Sequence, residues 1–168
     1  MTTVRIQTAD FDIGAECDAL ARQGGNIGAL ATFTGFVRAD DALVSLTLEH
    51  YPEMTEREIA RHVEEAHSRW ALHGANVIHR IGRLVPGNRI VFVGTASSHR
   101  KAAFEACEFL MDYLKTHAPF WKKETTGQGE RWVDARVADD EALQRWGLGS
   151  ANAGGLAVLA SDAEADAP

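Results

Sequence analysis

The chain has 168 residues, 45% of them hydrophobic and 24% charged, and a formal net charge of −7. This composition excludes a disordered or collagen-like chain, and the acidic balance argues against general nucleic-acid affinity. No apolar run approaches the roughly 20 residues of a membrane helix, the first residues hold no apolar signal core, and Cys17 and Cys107 are too few for a disulfide framework, so a reducing cytoplasm is the expected compartment.

Short strands and amphipathic helices alternate along residues 1–146. Val4–Thr8 reads as a first strand. Ile13–Gln23 reads as a helix, capped by Asp12 and stopped by Gly24-Gly25. Ala29–Val37 is apolar and rich in β-branched and aromatic residues, and Val44–His50 alternates with period two; both predict strands. Pro52 opens a helix in which Ile59, Val63, Ala66 and Trp70 share a face. Val77–Ile81 and Arg89–Ala96 predict strands joined by a Pro86-Gly87 turn. Arg100–Thr116 is the strongest helix, with Ala103, Cys107, Leu110, Met111 and Leu114 at helical spacing and Pro119 beyond its end. Phe120–Thr125 and Arg131–Val137 flank a Gly127–Gly129 turn, and Asp140–Trp146 predicts a closing helix. This order argues for an α+β fold with a largely antiparallel sheet. Residues 147–168 hold seven Ala, four Gly and no Lys or Arg, which predicts a mobile acidic tail outside the folded unit.

Charge is unevenly spread. Residues 80–136 carry 10 Lys/Arg against 6 Asp/Glu, a local +4 inside an acidic protein. Such a concentration suits one small anion better than a long polyanion. Phosphate-loop, dinucleotide and nucleophile-elbow motifs are all absent, as are C-x-x-C and H-E-x-x-H. His62 and His67 are five apart on a helix and do not share a face, so no metal site is expected. Cys107, on an apolar helix face, reads as a buried structural thiol.

Two segments hold the remaining chemistry. In Ser97-Ser98-His99-Arg100, Ser98 reads as the N-cap of the long helix, which puts His99 and Arg100 in its first turn. Cations oppose the helix dipole there, and a bound anion would resolve the conflict; an exposed arginine reaching into water is the ordinary alternative. Lys115 falls in the last turn, where a cation suits the dipole without further reason. Lys122 and Lys123 are adjacent on a strand and point to opposite faces, Lys122 with Phe120 and Lys123 with Trp121. Whichever lysine faces a covered side has its pKa lowered by desolvation, which suits proton transfer near neutral pH. Gly35, inside a strand that leads to Arg38, marks a bulge or a close backbone approach. Arg38 and Arg136 can each fork onto a phosphate or stand as ordinary strand-end charges.

Taken together, Thr32-Phe33-Thr34-Gly35-Phe36-Val37-Arg38, Leu48-Glu49-His50-Tyr51-Pro52-Glu53-Met54-Thr55-Glu56, Val77–Gly82, Ser98-His99-Arg100, Met111–Lys115, Ala118–Glu124 and Arg131–Arg136 resemble the catalytic large subunit of molybdopterin synthase, over residues 27–146. The resemblance implies an α/β hammerhead fold with an additional antiparallel β-sheet. It implies a homodimer flanked by two copies of a small ubiquitin-like sulfur carrier, a heterotetramer in all. The carrier's C-terminal Gly-Gly thiocarboxylate enters a pocket of this subunit, and two sulfur transfers convert cyclic pyranopterin monophosphate into molybdopterin. It implies no resident cofactor, no bound metal, and neither a nucleic-acid nor a membrane partner. Carried over by position, Lys115 and Lys122 match catalytic lysines. Phe36, Val37 and Arg38 match a substrate-binding segment, and His99 and Arg100 the pair at an anionic pocket. Lys123 and Glu124 complete the second lysine's segment, and Arg136 matches an arginine that reaches the neighbouring subunit's pocket. The competing readings are a non-catalytic module that docks an acidic or Gly-Gly peptide tail, and a small phosphate-ester enzyme.

Overall fold

A computed structural model describes residues 2–133 and 145–147, with the side chain of Asp41 left aside. The elements are β1 (Thr2–Gln7), α1 (Ile13–Ala21), β2 (Ala29–Phe36), β3 (Leu43–His50), α2 (Met54–Arg69), β4 (Leu72–Arg80), β5 (Gly82–Leu84), β6 (Arg89–Ser97), α3 (Arg100–Thr116), β7 (Phe120–Thr126) and β8 (Gly129–Val133). They form two four-stranded sheets, ordered β1-β4-β6-β2 and β5-β3-β7-β8. Only β1 and β4 pair in parallel; the other described pairs are antiparallel. The architecture is the expected α+β with a second, antiparallel sheet.

The first sheet is covered on both faces, and Gly74–His79 of β4 and Val91–Ser97 of β6 are buried without a break, polar Asn76, His79 and Thr95 included. On one side α1 packs Leu20, with Phe11, against Ile78, Phe92 and Ala96. On the other, α2 and α3 bury Ile59, Val63, Ala66, Ala103, Cys107 and Leu110 against Val77, Val91 and Val93. Each fully buried Leu, Ile or Val contributes about 1.5–3 kcal/mol. The second sheet closes over Val37, Leu48 and Leu84, and Ile90 and Phe120 join the two cores.

Several local expectations change. Strand β4 begins at Leu72, because pairing with β1 and β6 extends it through Gly74 and Asn76. Gly82, at φ 79°, lets the chain leave the first sheet at Arg80 and enter the second at once through β5, a strand with no sequence signal of its own. Pro86-Gly87 therefore joins β5 to β6. Asp12 caps α1 as expected, accepting from the Ala15 N–H at 2.7 Å. Ser98 does not cap α3: His99 is its N-cap and makes no side-chain cap bond, while the Ser98 hydroxyl meets the Asn26 carbonyl and His73 Nε2, each at 2.8 Å. The expected closing helix and most of the expected tail lie outside the described residues. Arg145–Gly147 form a turn, in which Trp146 packs edge-on against Trp70 and Phe109.

Candidate active site

The site is built on α3 and the two strands beside it. Strand β2 is an edge of the first sheet and lies alongside α3. Between them opens a cleft of about 370 Å³, lined by Ala31, Thr32 and Phe33 of β2 and by Phe104, Cys107, Glu108, Met111, Asp112 and Lys115 of α3. Lys115 stands at its end, exposed, in the last helical turn. Cys107 has its thiol pushed up to about 12 by burial first and then by Glu108. It stays protonated and is no nucleophile at neutral pH.

Strand β2 ends in an irregularity between Gly35 and Phe36. A side chain at Gly35 would come within 2.8 Å of Val91, so the close approach demands glycine. Beyond it Phe36 is exposed, and Val37 is buried and pinned by backbone bonds to Asn88 and Gly87. Arg38 projects outward, paired with Asp40 at 3.0 Å.

The strand register decides between the two adjacent lysines. Lys122 lies opposite Leu48, and Lys123 opposite Thr47. Opposed residues in an antiparallel pair share a face. Leu48 is 1% exposed, so Lys122 belongs to the covered face, together with Phe120 and Glu124. Lys123 belongs to the outer face, where it pairs with Glu130 at 3.0 Å and lies 5.8 Å from the Trp132 ring. Glu124 pairs across the strands with Arg131 at 2.7 Å.

Sequence reasoning passed over His79. It is 6% exposed, stacks on Phe120 with ring centroids 3.9 Å apart, and its Nδ1 lies 2.9 Å from the Arg80 carbonyl, to which it donates. Burial depresses its pKa to about 4; the hydrogen bond to Arg80 opposes this, and the charges of Lys122 and His50 add to it. A neutral imidazole thus lies in the field of Lys122, on the covered side of the sheet. The available signal was a polar residue closing the buried run Val77-Ile78.

His79 also makes stability depend on pH. Unfolded, the ring titrates near 6.5, and folded, near 4. Between those values the unfolded chain binds more protons, so stability falls as pH drops through the window and His79 contributes no slope above it. His79→Phe keeps a ring against Phe120, and it is expected to reduce the loss between pH 7.5 and 4.5 by about 2 kcal/mol. Urea denaturation at the two pH values measures this; an unchanged loss contradicts it.

His99 and Arg100 lie elsewhere. Both are exposed at the start of α3, whose first turn holds no acid. Arg100 and Lys115 are 15 positions apart on one helix, which is about 22 Å along its axis. Strand β2 repeats the separation: Ala29 pairs with Ser97 at the Arg100 end, and Phe36 with Arg89 at the other. Within one chain the six candidates on β2, its exit and α3 therefore form two groups. Phe36, Val37 and Arg38 share an end of the domain with Lys115, and His99 and Arg100 occupy the opposite end. Arg136 lies outside the described residues. Among the described residues no group of His, Cys, Asp and Glu has the geometry of a metal site, and no helix is long and apolar enough to cross a membrane.

Comparison with known proteins gives a consistent picture. The family model described as MoaE protein matches residues 6–117. A molybdopterin synthase catalytic subunit of Ralstonia nicotianae is 55% identical over 166 residues, covering 97% of this chain and 94% of the relative. The structure of a molybdopterin biosynthesis MoaE protein from Burkholderia ambifaria superposes with a TM-score of 0.77 at 56% identity, covering 88% of this chain and 99% of that one. Molybdopterin synthase from Staphylococcus aureus superposes with a TM-score of 0.71 at 28% identity, covering 77% and 95%.

Proposed function

The chain belongs to the MoaE family of molybdopterin synthase catalytic subunits, enzymes of molybdenum cofactor biosynthesis, and from that premise we propose how it works. It transfers sulfur from the C-terminal Gly-Gly thiocarboxylate of a small carrier subunit to cyclic pyranopterin monophosphate, in a pocket shared by two copies of this chain. The name of the relatives, a catalytic subunit, supports a second subunit. The two free cysteines suit the reducing cytoplasm in which we place the reaction.

The single observation that carries the shared pocket is the separation of about 22 Å between Arg100 and Lys115 on one rigid helix. One small substrate cannot touch both in a single chain. Strand β2 is an open edge carrying Leu30, Phe33 and Phe36, and Phe104 beside it is 64% exposed. A two-fold axis across this apolar edge brings the His99–Arg100 end of one copy to the Lys115 end of the other. By resemblance, Arg136 also reaches across.

Each group then has a role matched to charge. Arg100, His99 and Arg38 hold the cyclic phosphate, with the free N–H groups at the start of α3 adding to the field. Exposed Phe36 shapes the wall beside it, and buried Val37 contributes by pinning the backbone between Phe36 and Arg38. Lys115, in the exposed cleft, meets the anionic end of the carrier tail. Lys122, on the covered face beside neutral His79, moves a proton as sulfur adds and the ring opens. Lys123 and Glu124 contribute as the strand that fixes Lys122, each held by its own ion pair. No cofactor or metal is needed in this scheme.

Incubating the purified chain with thiocarboxylated carrier and cyclic pyranopterin monophosphate tests the reading: it requires a product carrying two sulfurs, and none formed contradicts it. Arg100→Ala is expected to raise the pterin KM by about tenfold, the scale of one charge-assisted hydrogen bond, with carrier affinity nearly unchanged. Equal weakening of both would move Arg100 out of the phosphate site.

A further inference from the structure

The Lys115 cleft, read above as the place where an anionic tail ends, also carries two acids. Glu108, Asp112 and Lys115 all line it from one helix. Positions 112 and 115 are neighbours on a helix surface, and an acid preceding a base is the favourable order for pairing. Left alone, Asp112 would draw the Lys115 ammonium down, and the two carboxylates would repel an anionic tail. Yet among the described residues no acid pairs with Lys115.

Both carboxylates are instead held by Arg145. Its Nη2 lies 2.9 Å from Glu108 Oε1 and 3.0 Å from Asp112 Oδ2. Asp112 is held a second time by the Trp146 indole N–H, which donates to the same oxygen at 2.7 Å. Trp146 is fixed in turn: Arg69 donates to its carbonyl at 2.9 Å, and its ring stands edge-on to Trp70 and Phe109. The clamp is thus anchored in the core between α2 and α3. With Arg145 in place, two acids and two bases balance at the cleft, and with it removed the balance is −1.

We propose that Arg145 is a positioning residue: by occupying Glu108 and Asp112 it leaves the Lys115 ammonium open to the anionic end of the carrier tail. This rests on the sulfur-transfer reading above. Arg145 itself touches neither carrier nor pterin in this scheme.

The test is a titration of thiocarboxylated carrier against the full chain at low salt, with saturating pterin, reading kcat and KM for carrier. Arg145→Ala is expected to raise the carrier KM by about tenfold and leave kcat within about twofold, with the difference shrinking as salt screens it. Arg145→Lys keeps the charge and is expected to recover most of the affinity. The decisive variant is Glu108→Gln/Asp112→Asn/Arg145→Ala. It removes the acids that Arg145 silences and keeps an oxygen for the Trp146 N–H, so its carrier KM is expected to return to near wild type. Unchanged carrier KM in Arg145→Ala overturns the inference, as does a triple variant as impaired as the single one, which would make Arg145 a packing residue only. If the wild-type chain itself forms no product, the sulfur-transfer reading fails instead.

Discussion

Lys115→Ala is expected to abolish most molybdopterin formation, lowering the rate by roughly 100-fold to 10,000-fold, the range for losing a positioned acid–base or charge-stabilising group. The fold is expected to survive, because Lys115 is exposed at the end of α3 and a last-turn cation contributes about 0.3–1 kcal/mol. Lys115 lines the cleft and is no part of the core, to which Leu110, Met111, Tyr113 and Leu114 of the same helix belong. Product assays on a variant whose thermal melt overlays the wild type separate the two effects. A folded Lys115→Ala chain that makes product at near-normal rate removes Lys115 from the mechanism.

The second large effect is a contrast. Lys122→Ala is expected to cost about 100-fold or more in rate, and Lys123→Ala only a few-fold. The reason is the register: Lys122 stands opposite buried Leu48, with its charge acting on neutral His79, and Lys123 stands on the outer face with Glu130 and Trp132. A substitution at Lys123 removes an ion pair and a ring contact far from the covered face, worth about 1 kcal/mol together. Rates and melts of the two variants, measured side by side, check this. Lys123→Ala as the more damaged enzyme contradicts the assignment of faces.

Much of the fold was legible because the local signals agreed with the tertiary ones. Helix α3 runs from Arg100 to Thr116 as its spacing indicates, since the five apolar positions at helical period are the ones that meet the sheet. The start of β4 was not legible. Gly74 and Asn76 weaken the local strand pattern, and what makes that stretch a strand is a parallel partner, β1, roughly seventy residues earlier in the chain. Three-residue β5 exists because Gly82 turns the backbone and β3 offers an edge. The Ser98 cap failed for a comparable reason: His73 and Asn26, distant in sequence, take its hydroxyl.

In the site, the opposite faces of Lys122 and Lys123 follow from alternation alone, but which face is covered needed the register with β3. His79 carried a weak local signal, and its stacking on Phe120 joins two sheets that no local pattern brings together. The separation of Arg100 and Lys115 is written in the helix length. Its meaning emerges only when β2, antiparallel to β6, puts Arg38 at one end and the start of α3 at the other.

A mixed dimer tests the shared pocket most directly. Lys115→Ala and Arg100→Ala chains carrying different tags are coexpressed, the mixed dimer is isolated by both tags, and molybdopterin formation is measured at limiting pterin and saturating carrier. If each pocket takes Lys115 from one copy and Arg100 from the other, one site in the mixed dimer bears both lesions and its mate bears none, so activity is expected at about half that of wild type. Activity no higher than that of the two parent dimers would place both residues of a pocket on one chain and contradict the account.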